Sequence, residues 1–330
     1  MIKHNILITG GAGYVGTVLT KKLVALGHDV KVIDLCIYGE EVLGDTLQKS
    51  NFKLFKGDIR DRALLETSIP GSDTVIHLAC ISNDPSYELN PDLSKTINYD
   101  AFVDILDISK KSGVSKFIFA SSSSVYGVKE TENVTENLSL EPLTDYSKYK
   151  ALCEELLLKE QIPQMTSVIL RPATVCGYSP RLRLDLTVNI LTAHAINKNK
   201  ITVFGGNQKR PNIHIDDIVD YYIALLDMPK EKIAGNIFNA GYENHTVSQI
   251  AEIVKEALGK DIPIDTVPSD DNRSYHISSA KIQKELGLAP KKTIRDAVLD
   301  IKNAFETGEI KNWDDINYYN VKKMKTIGFK

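Results

Sequence analysis

Gly10, Gly13 and Gly16 stand at three-residue intervals in the run Ile6-Leu7-Ile8-Thr9-Gly10-Gly11-Ala12-Gly13-Tyr14-Val15-Gly16. An apolar stretch that reads as a buried strand enters this turn, and a stretch from Tyr14 to Leu26 that reads as a helix leaves it. Glycines here permit a tight turn, a close backbone approach to a pyrophosphate, and close packing of helix on strand. The helix start, at Tyr14 and Val15, then presents free N–H groups and a positive dipole end to the phosphates. The motif predicts a dinucleotide site, with the spacing G-x-x-G-x-x-G and not the G-x-G-x-x-G of classical dehydrogenases.

Asp34 closes the second apolar run, 24 residues after Gly10. A carboxylate there can accept hydrogen bonds from an adenosine ribose and would repel a 2′-phosphate. That predicts NAD and disfavours NADP. The plainer alternative is a strand-end Asp that caps a turn. Asp58 and Ile59 follow the third apolar run, where the Asp can reach the adenine amine.

Tyr146 and Lys150 are four residues apart and would share one helix face. A phenol with a pKa of ~10 is a poor base at neutral pH, and a cation one turn away lowers it. The pair is a candidate general base. Ser122, in the run Ser121-Ser122-Ser123-Ser124 past the fifth strand candidate, can bond the substrate oxygen. A Tyr and a Lys at this spacing are commonplace on helices; the glycine turn and the serine loop give them meaning here.

The elements that must position these residues alternate. Strand candidates are 6–9, 30–34, 52–56, 74–78, 116–120 and 167–170, with helices at about 14–27, 92–112 and 146–160. That rhythm predicts an α/β fold with a Rossmann-type doubly wound parallel sheet. After Arg171-Pro172 the rhythm changes to helices near 185–199, 215–228, 247–258, 278–286 and 292–306, separated by short apolar pieces. The expected organisation is a nucleotide-binding region over 1–172 and a smaller mixed substrate region over 173–330. The two are interleaved, because 236–240 can return to the sheet. The aromatics after Trp313 are expected to pack on the domain or on a partner subunit.

Composition sets limits. The chain is 42% apolar and 25% charged, as globular proteins are. A formal net charge of −3 points to neither nucleic acid nor an anionic membrane as partner. No apolar run reaches the ~20 residues of a membrane span. The N-terminus reads as a first strand and not as a signal peptide, which suggests a cytoplasmic protein. Cys36, Cys80, Cys153 and Cys176 have no C-x-x-C spacing and read as buried thiols. No histidine pair has metal-ligand spacing, so no metal is expected.

Taken together, these residues resemble the extended short-chain dehydrogenase/reductases of the NAD-dependent nucleotide-sugar epimerase/dehydratase type. The likeness spans about residues 5–305 and includes the glycine turn, Asp34, Asp58, His77-Leu78-Ala79, Asn98, the Ser122 loop, Tyr146 and Lys150. It also includes Arg171-Pro172 and the segment 210–217. The resemblance implies that Leu78, Ala79 and Asn98 lie near the cofactor and that Lys150 also bonds the nicotinamide ribose. It implies a homodimer through a four-helix bundle built from the helices near 92–112 and 146–160.

The family's 4,6-dehydratases typically carry Thr-Asp-Glu where this chain has Ser122-Ser123-Ser124, which argues against water elimination. Oxidation at C4 of a nucleotide-linked sugar then remains. The product is the 4-epimer if the hydride returns, or the 4-keto sugar if it does not. Many sugar epimerases place Asn where Thr174 stands, and an Asp-Phe where Pro211-Asn212 follows Arg210. The stretch Arg181-Leu182-Arg183-Leu184-Asp185 through Asn189 is similar to C4-oxidising enzymes of GDP-heptose pathways. Arg210 and Arg273 are the first candidates for the substrate pyrophosphate, since Arg offers bidentate contacts to phosphate. Arg181 and Arg183 are second candidates, and Asn189 is a further phosphate donor. By position, Ser82, Asn83 and Thr174 face the sugar ring. Tyr178 and Tyr275 read as packing residues. A non-catalytic NAD-binding redox sensor is the competing reading from another class.

Overall fold

The computed structural model describes residues 2–131, 133–269, 274 and 276–328. Seven parallel strands form the central sheet: β1 (Asn5–Thr9), β2 (Asp29–Asp34), β3 (Phe52–Lys56), β4 (Thr74–His77), β5 (Lys116–Ala120), β6 (Thr166–Pro172) and, much later in the chain, β10 (Asn236–Ala240). Their order is β10-β6-β5-β4-β1-β2-β3. The strand order reverses between β1 and β4, and ligands of such sheets bind at the carboxyl ends beside that crevice. Both sheet faces are covered. Ile6 and Ile8 sit in one fully buried cluster and Leu7 in another, as the period-2 alternation of a strand requires.

β10 pairs with β6 in parallel register, Phe238 opposite Leu170, so the segment after residue 173 does return to the sheet. Two small sheets lie outside it. One joins β7 (Thr174–Cys176), β9 (Lys209–His214) and β11 (Glu243–Thr246); the other joins β8 (Ile201–Phe204) and β12 (Ile264–Val267). The helices Thr187–Lys198, Val247–Leu258 and Ile294–Glu306 pack with β8 into a third apolar cluster.

Two local features depart from the expected elements. The helix expected over 92–112 is three pieces: Pro91–Lys95, a π turn at Thr96–Asp100, and Ala101–Lys111. The chain after Trp313 forms a further helix, Asn320–Thr326. Trp313, Tyr318 and Tyr319 pack with Leu182, Leu184 and Ile215, so this terminal segment belongs to the body of the domain. Phe329 lies outside the described residues. Cys36, Cys153 and Cys176 are buried free thiols, whereas Cys80 is half-buried and faces the cavity described next. No helix among the described residues is long and apolar enough to cross a membrane.

Candidate active site

One large trough of about 480 Å³ runs across the carboxyl ends of β1, β2, β4 and β5, under β7 and the 181–187 segment. The glycine turn forms its floor. Gly10 has φ +78°, and a Cβ there would lie 2.7 Å from the Ala79 backbone nitrogen. A Cβ on Gly16 would lie 2.0 Å from the Gly10 carbonyl oxygen, so glycine lets helix α1 (Tyr14–Ala25) start against the strand. Gly13, the N-cap of α1, supplies no capping side chain and the first turn carries no acid. The first N–H groups of α1 are thus left for a ligand, and the positive dipole end favours an anion. This cradle fits a pyrophosphate.

Asp34 caps the turn and also faces the trough. Its Oδ2 accepts from the Ala12 N–H at 2.9 Å and its Oδ1 from the Cys36 N–H at 2.8 Å, which ties the glycine turn to the end of β2. It is at the same time a lining residue of the trough. Burial pushes its carboxyl up, and the two backbone donors oppose that shift. Asp58 and Ile59 line the same end, but the Asp58 carboxylate is already held by Arg60, Nε at 3.0 Å and Nη2 at 2.5 Å. Desolvation pushes the Asp58 acid up, and Arg60 outweighs it and holds the group below its usual range.

At the other end, helix Asp145–Lys159 brings Tyr146 and Lys150 to the trough opposite Ser122, the N-cap of a short 3-10 turn. The helix starts here because Thr144 and Ser147 form a capping box. Ser122 hydrogen-bonds Tyr146, which favours the phenolate. Burial and the nearby Cys80 thiol outweigh that bond and hold the Tyr146 phenol protonated. Lys150 Nζ donates to the Ala120 carbonyl at 2.6 Å and is not among the main influences on Tyr146. The depression expected from the Tyr146–Lys150 spacing is therefore absent in this arrangement, because the loss of water around the buried phenol dominates. Ser123 and Ser124 line the trough beside Ser122, where an acid pair would serve dehydration.

Beneath Lys150, His77 is buried against Phe119 and hydrogen-bonded through Nδ1 to Thr9 Oγ1 at 2.7 Å. Burial first, and the Lys150 charge second, lower its pKa from 6.5 to about 3. An unfolded His takes up a proton below about pH 6.5, whereas the folded one stays neutral until about pH 3. The stability due to neutral His77 is thus complete above pH 6.5 and drains away as pH falls through that window. Unfolding free energies from urea titrations at pH 7 to 4 should fall more steeply for the wild type than for His77→Asn. The difference in slope should be about 1.4 kcal/mol per pH unit at most.

Most of the expected site residues meet in this one trough. Gly10, Gly13, Tyr14, Val15, Gly16, Asp34, Asp58, Ile59, Leu78 and Ala79 line one part, and Ser82, Asn83, Ser122, Tyr146, Lys150, Thr174, Arg181, Arg183 and Arg210 line the rest. Two do not reach it. Asn98 sits in the π turn with its amide bonded to both backbone groups of Ile81, at 2.8 and 3.1 Å. It shapes the loop after β4 and does not line the trough. Asn189 is fully buried: its Oδ1 accepts from the Gly177 N–H, and its Nδ2 donates to the Tyr14 hydroxyl and the Arg183 carbonyl. Those partners occupy it, so the expectation of a phosphate donor gives way to a brace for Tyr14 and Arg183. Tyr178 packs beside Leu182 and Leu184 as expected, whereas Arg273 and Tyr275 lie outside the described residues. Tyr38, Asp185 and Asn320, which sequence reasoning did not single out, also line the trough.

A glycine cradle for a pyrophosphate and a Ser–Tyr–Lys set in one cleft define an NAD-dependent enzyme of the extended short-chain dehydrogenase/reductase type. The NAD dependent epimerase/dehydratase family matches residues 6–241, and the chain belongs to that family. UDP-glucuronic acid decarboxylase 1 of Arabidopsis thaliana is 30% identical over 306 residues, covering 89% of this chain and 68% of that protein. UDP-glucose 4-epimerase of Lactobacillus helveticus is 26% identical over 331 residues, covering 94% and 99%. The solved UDP-N-acetylglucosamine 4-epimerase from Methanobrevibacter ruminantium superposes with a TM-score of 0.84 at 22% identity, over 93% and 99% of the two chains, a likeness of fold.

Proposed function

We propose that this enzyme oxidises C4 of a nucleotide-diphosphate sugar and returns the hydride to the opposite face, as a nucleotide-sugar 4-epimerase. The observation that carries this reading is the meeting of Ser122, Tyr146 and Lys150 in the same trough as the glycine cradle, with serines at 123 and 124 in place of an acid pair. The epimerase and decarboxylase relatives support chemistry on nucleotide sugars. Gly10, Gly13, Gly16, Asp34 and the first turn of α1 would hold the NAD. When bound, NAD supplies the hydride acceptor and a positive charge at the nicotinamide. Ser122 holds the substrate oxygen. Tyr146 must first lose its own phenol proton to solvent; as the phenolate it takes the hydroxyl proton as the C4–H bond breaks and gives it back when that bond re-forms. Lys150 supplies the fixed positive charge on the same helix face. Arg210 is the candidate for the substrate pyrophosphate, with Arg183 nearer the sugar, where Ser82, Asn83 and Thr174 also stand.

The likeness of the 181–189 segment to C4-oxidising GDP-heptose enzymes favours a second outcome, release of the 4-keto sugar. The two separate in one assay. The protein is incubated with UDP-, GDP-, CDP- and dTDP-sugars, and products are read by mass and NMR. Unchanged mass with inverted C4 is expected. Loss of two hydrogens makes the enzyme a 4-dehydrogenase, loss of carbon dioxide makes it a decarboxylase, and loss of water overturns the argument from Ser123 and Ser124.

The helices Ala101–Lys111 and Asp145–Lys159 expose Val103 and Leu152, each 41% accessible. These are the faces on which the four-helix homodimer interface is proposed. Light scattering should give twice the chain mass of 36.7 kDa, and a monomer would reject the interface.

A further inference from the structure

Arg181, Arg183 and Asp185 alternate with Leu182 and Leu184, and the two leucines are buried in the apolar cluster under the C-terminal segment. The three charged residues turn the other way and line the trough. Arg183 and Asp185 form a pair, Nε–Oδ1 at 2.9 Å and Nη2–Oδ2 at 3.1 Å, with Ser82 Oγ accepting from Arg183 Nη1 at 3.1 Å. That pair is electrically closed.

Arg181 is not. It is 3% exposed, and no carboxylate among the described residues lies within ion-pair distance of it. Its guanidinium lies 3.5 Å from the centre of the Tyr38 ring, and its Nη2 donates to Asn320 Oδ1 at 2.5 Å. Its Nε is buried with no partner at all. A buried cation with an unmade hydrogen bond and no carboxylate in contact with it is unfavourable unless a ligand completes it. The site therefore asks for an anion.

Position identifies that anion. Tyr38 follows Asp34 by four residues, and the Arg181 charge acts on the Asp34 carboxyl, so Arg181 overhangs the ribose end of the cradle. Both arginine charges act on Tyr14, and that of Arg183 acts also on Tyr146 at the other end of the trough. We propose that Arg181 is a cofactor-binding residue whose counter-ion is a phosphate of NAD, and that Tyr38 and Asn320 hold it there. Asn320 is the tether. Its Oδ1 also accepts from the Tyr38 hydroxyl at 3.0 Å, its Nδ2 donates to Ser82 Oγ at 3.1 Å, and its N–H donates to Asp185 Oδ2 at 3.2 Å. The C-terminal helix is thereby part of the NAD site, which makes the cofactor slow to leave. This assigns Arg181 to the cofactor and withdraws it from the substrate candidates. It rests on NAD dependence alone and not on the fate of the 4-keto sugar.

Two variants of the full chain test it. Arg181→Met removes the charge and keeps most of the volume. Asn320→Asp keeps the shape and gives Arg181 a carboxylate of the protein's own, so the cofactor's phosphate is no longer needed and is repelled. NAD released from denatured protein is quantified before and after desalting, and the NAD dissociation constant is measured on the stripped protein. Each variant should bind NAD about ten-fold more weakly or worse, as loss of a charge-assisted bond implies. UDP and GDP, titrated with NAD saturating, should bind as they do to the wild type. Unchanged NAD retention in both variants overturns the proposal. So does loss of UDP or GDP binding with NAD retained, which would return Arg181 to the substrate. Should Arg181→Met fail to fold, Asn320→Asp alone decides.

Discussion

Tyr146→Phe is expected to lower turnover by ~10²- to 10⁴-fold while leaving the fold and the NAD content of the protein unchanged. The change removes one hydroxyl. That hydroxyl bonds Ser122 and is the proposed acid–base group in the trough, and the ring that packs the helix stays. The proton on the substrate oxygen then has no positioned acceptor, because Ser122 is an alcohol whose Oγ is shared with Ser124 at 2.9 Å, and Lys150 is engaged by Ala120. The loss should appear in kcat and kcat/KM alike, the pattern for a contact made in the transition state only. The wild-type pH profile should still be rising at neutral pH, because burial holds this phenol above its ordinary value. Full turnover by Tyr146→Phe on the true substrate would remove Tyr146 from the chemistry. It would also revive the reading of the chain as an NAD-binding sensor. Retained NAD is the control: a variant that lost both cofactor and activity would indict the fold of the helix and not the proton transfer.

The sequence showed the nucleotide half clearly, because there the chemistry is local. Glycine spacing, a strand-end acid, and a Tyr and Lys one helical turn apart are short-range patterns, and the structure brings all of them into one trough. What it hid is long-range or weakly patterned. The resemblance puts Asn98 at the cofactor, but an extra residue in the π turn accompanies its amide's turn onto Ile81, a break in helix register that no apolar period records. Asn189 follows two arginines closely in the sequence, yet folding brings Gly177 and Tyr14 to it first. Strand β9 is Lys-Arg-Pro-Asn-Ile-His, with no alternation and a proline, and is a strand because β7 and β11 flank it. Asn320 lies on a seven-residue polar helix, and only its contacts with Tyr38, Arg181 and Ser82 reveal it as part of the site.

Replacing either Glu154 or Arg171 alone should destabilise the protein by about 3–5 kcal/mol, the scale for stranding one charge of a buried pair. Both side chains are 2% exposed. Arg171, on β6, reaches Glu154, on the helix Asp145–Lys159, through Nε at 3.0 Å and Nη2 at 2.6 Å, and its Nη1 donates to the Tyr126 hydroxyl at 2.6 Å. Tyr126 passes the chain on to Asn239 of β10 at 2.7 Å, and Ser121, next to Ser122, donates to Glu154. The network thus joins the serine loop, the helix that carries Tyr146 and Lys150, and the two neighbouring strands β6 and β10 at one edge of the sheet. Arg171→Met leaves an uncompensated carboxylate, and Glu154→Gln leaves an uncompensated guanidinium. The double variant Glu154→Met/Arg171→Met strands neither, so its loss should be smaller than either single loss, and the two singles should not add. Urea unfolding of the four proteins measures this directly. If each single change cost under about 1 kcal/mol, the pair would be solvated in practice and its role in fixing Ser122 against Tyr146 would fall. If the double variant cost the sum of the singles, the two residues would act separately, and the tie between the serine loop and the Asp145–Lys159 helix would have to run through packing alone.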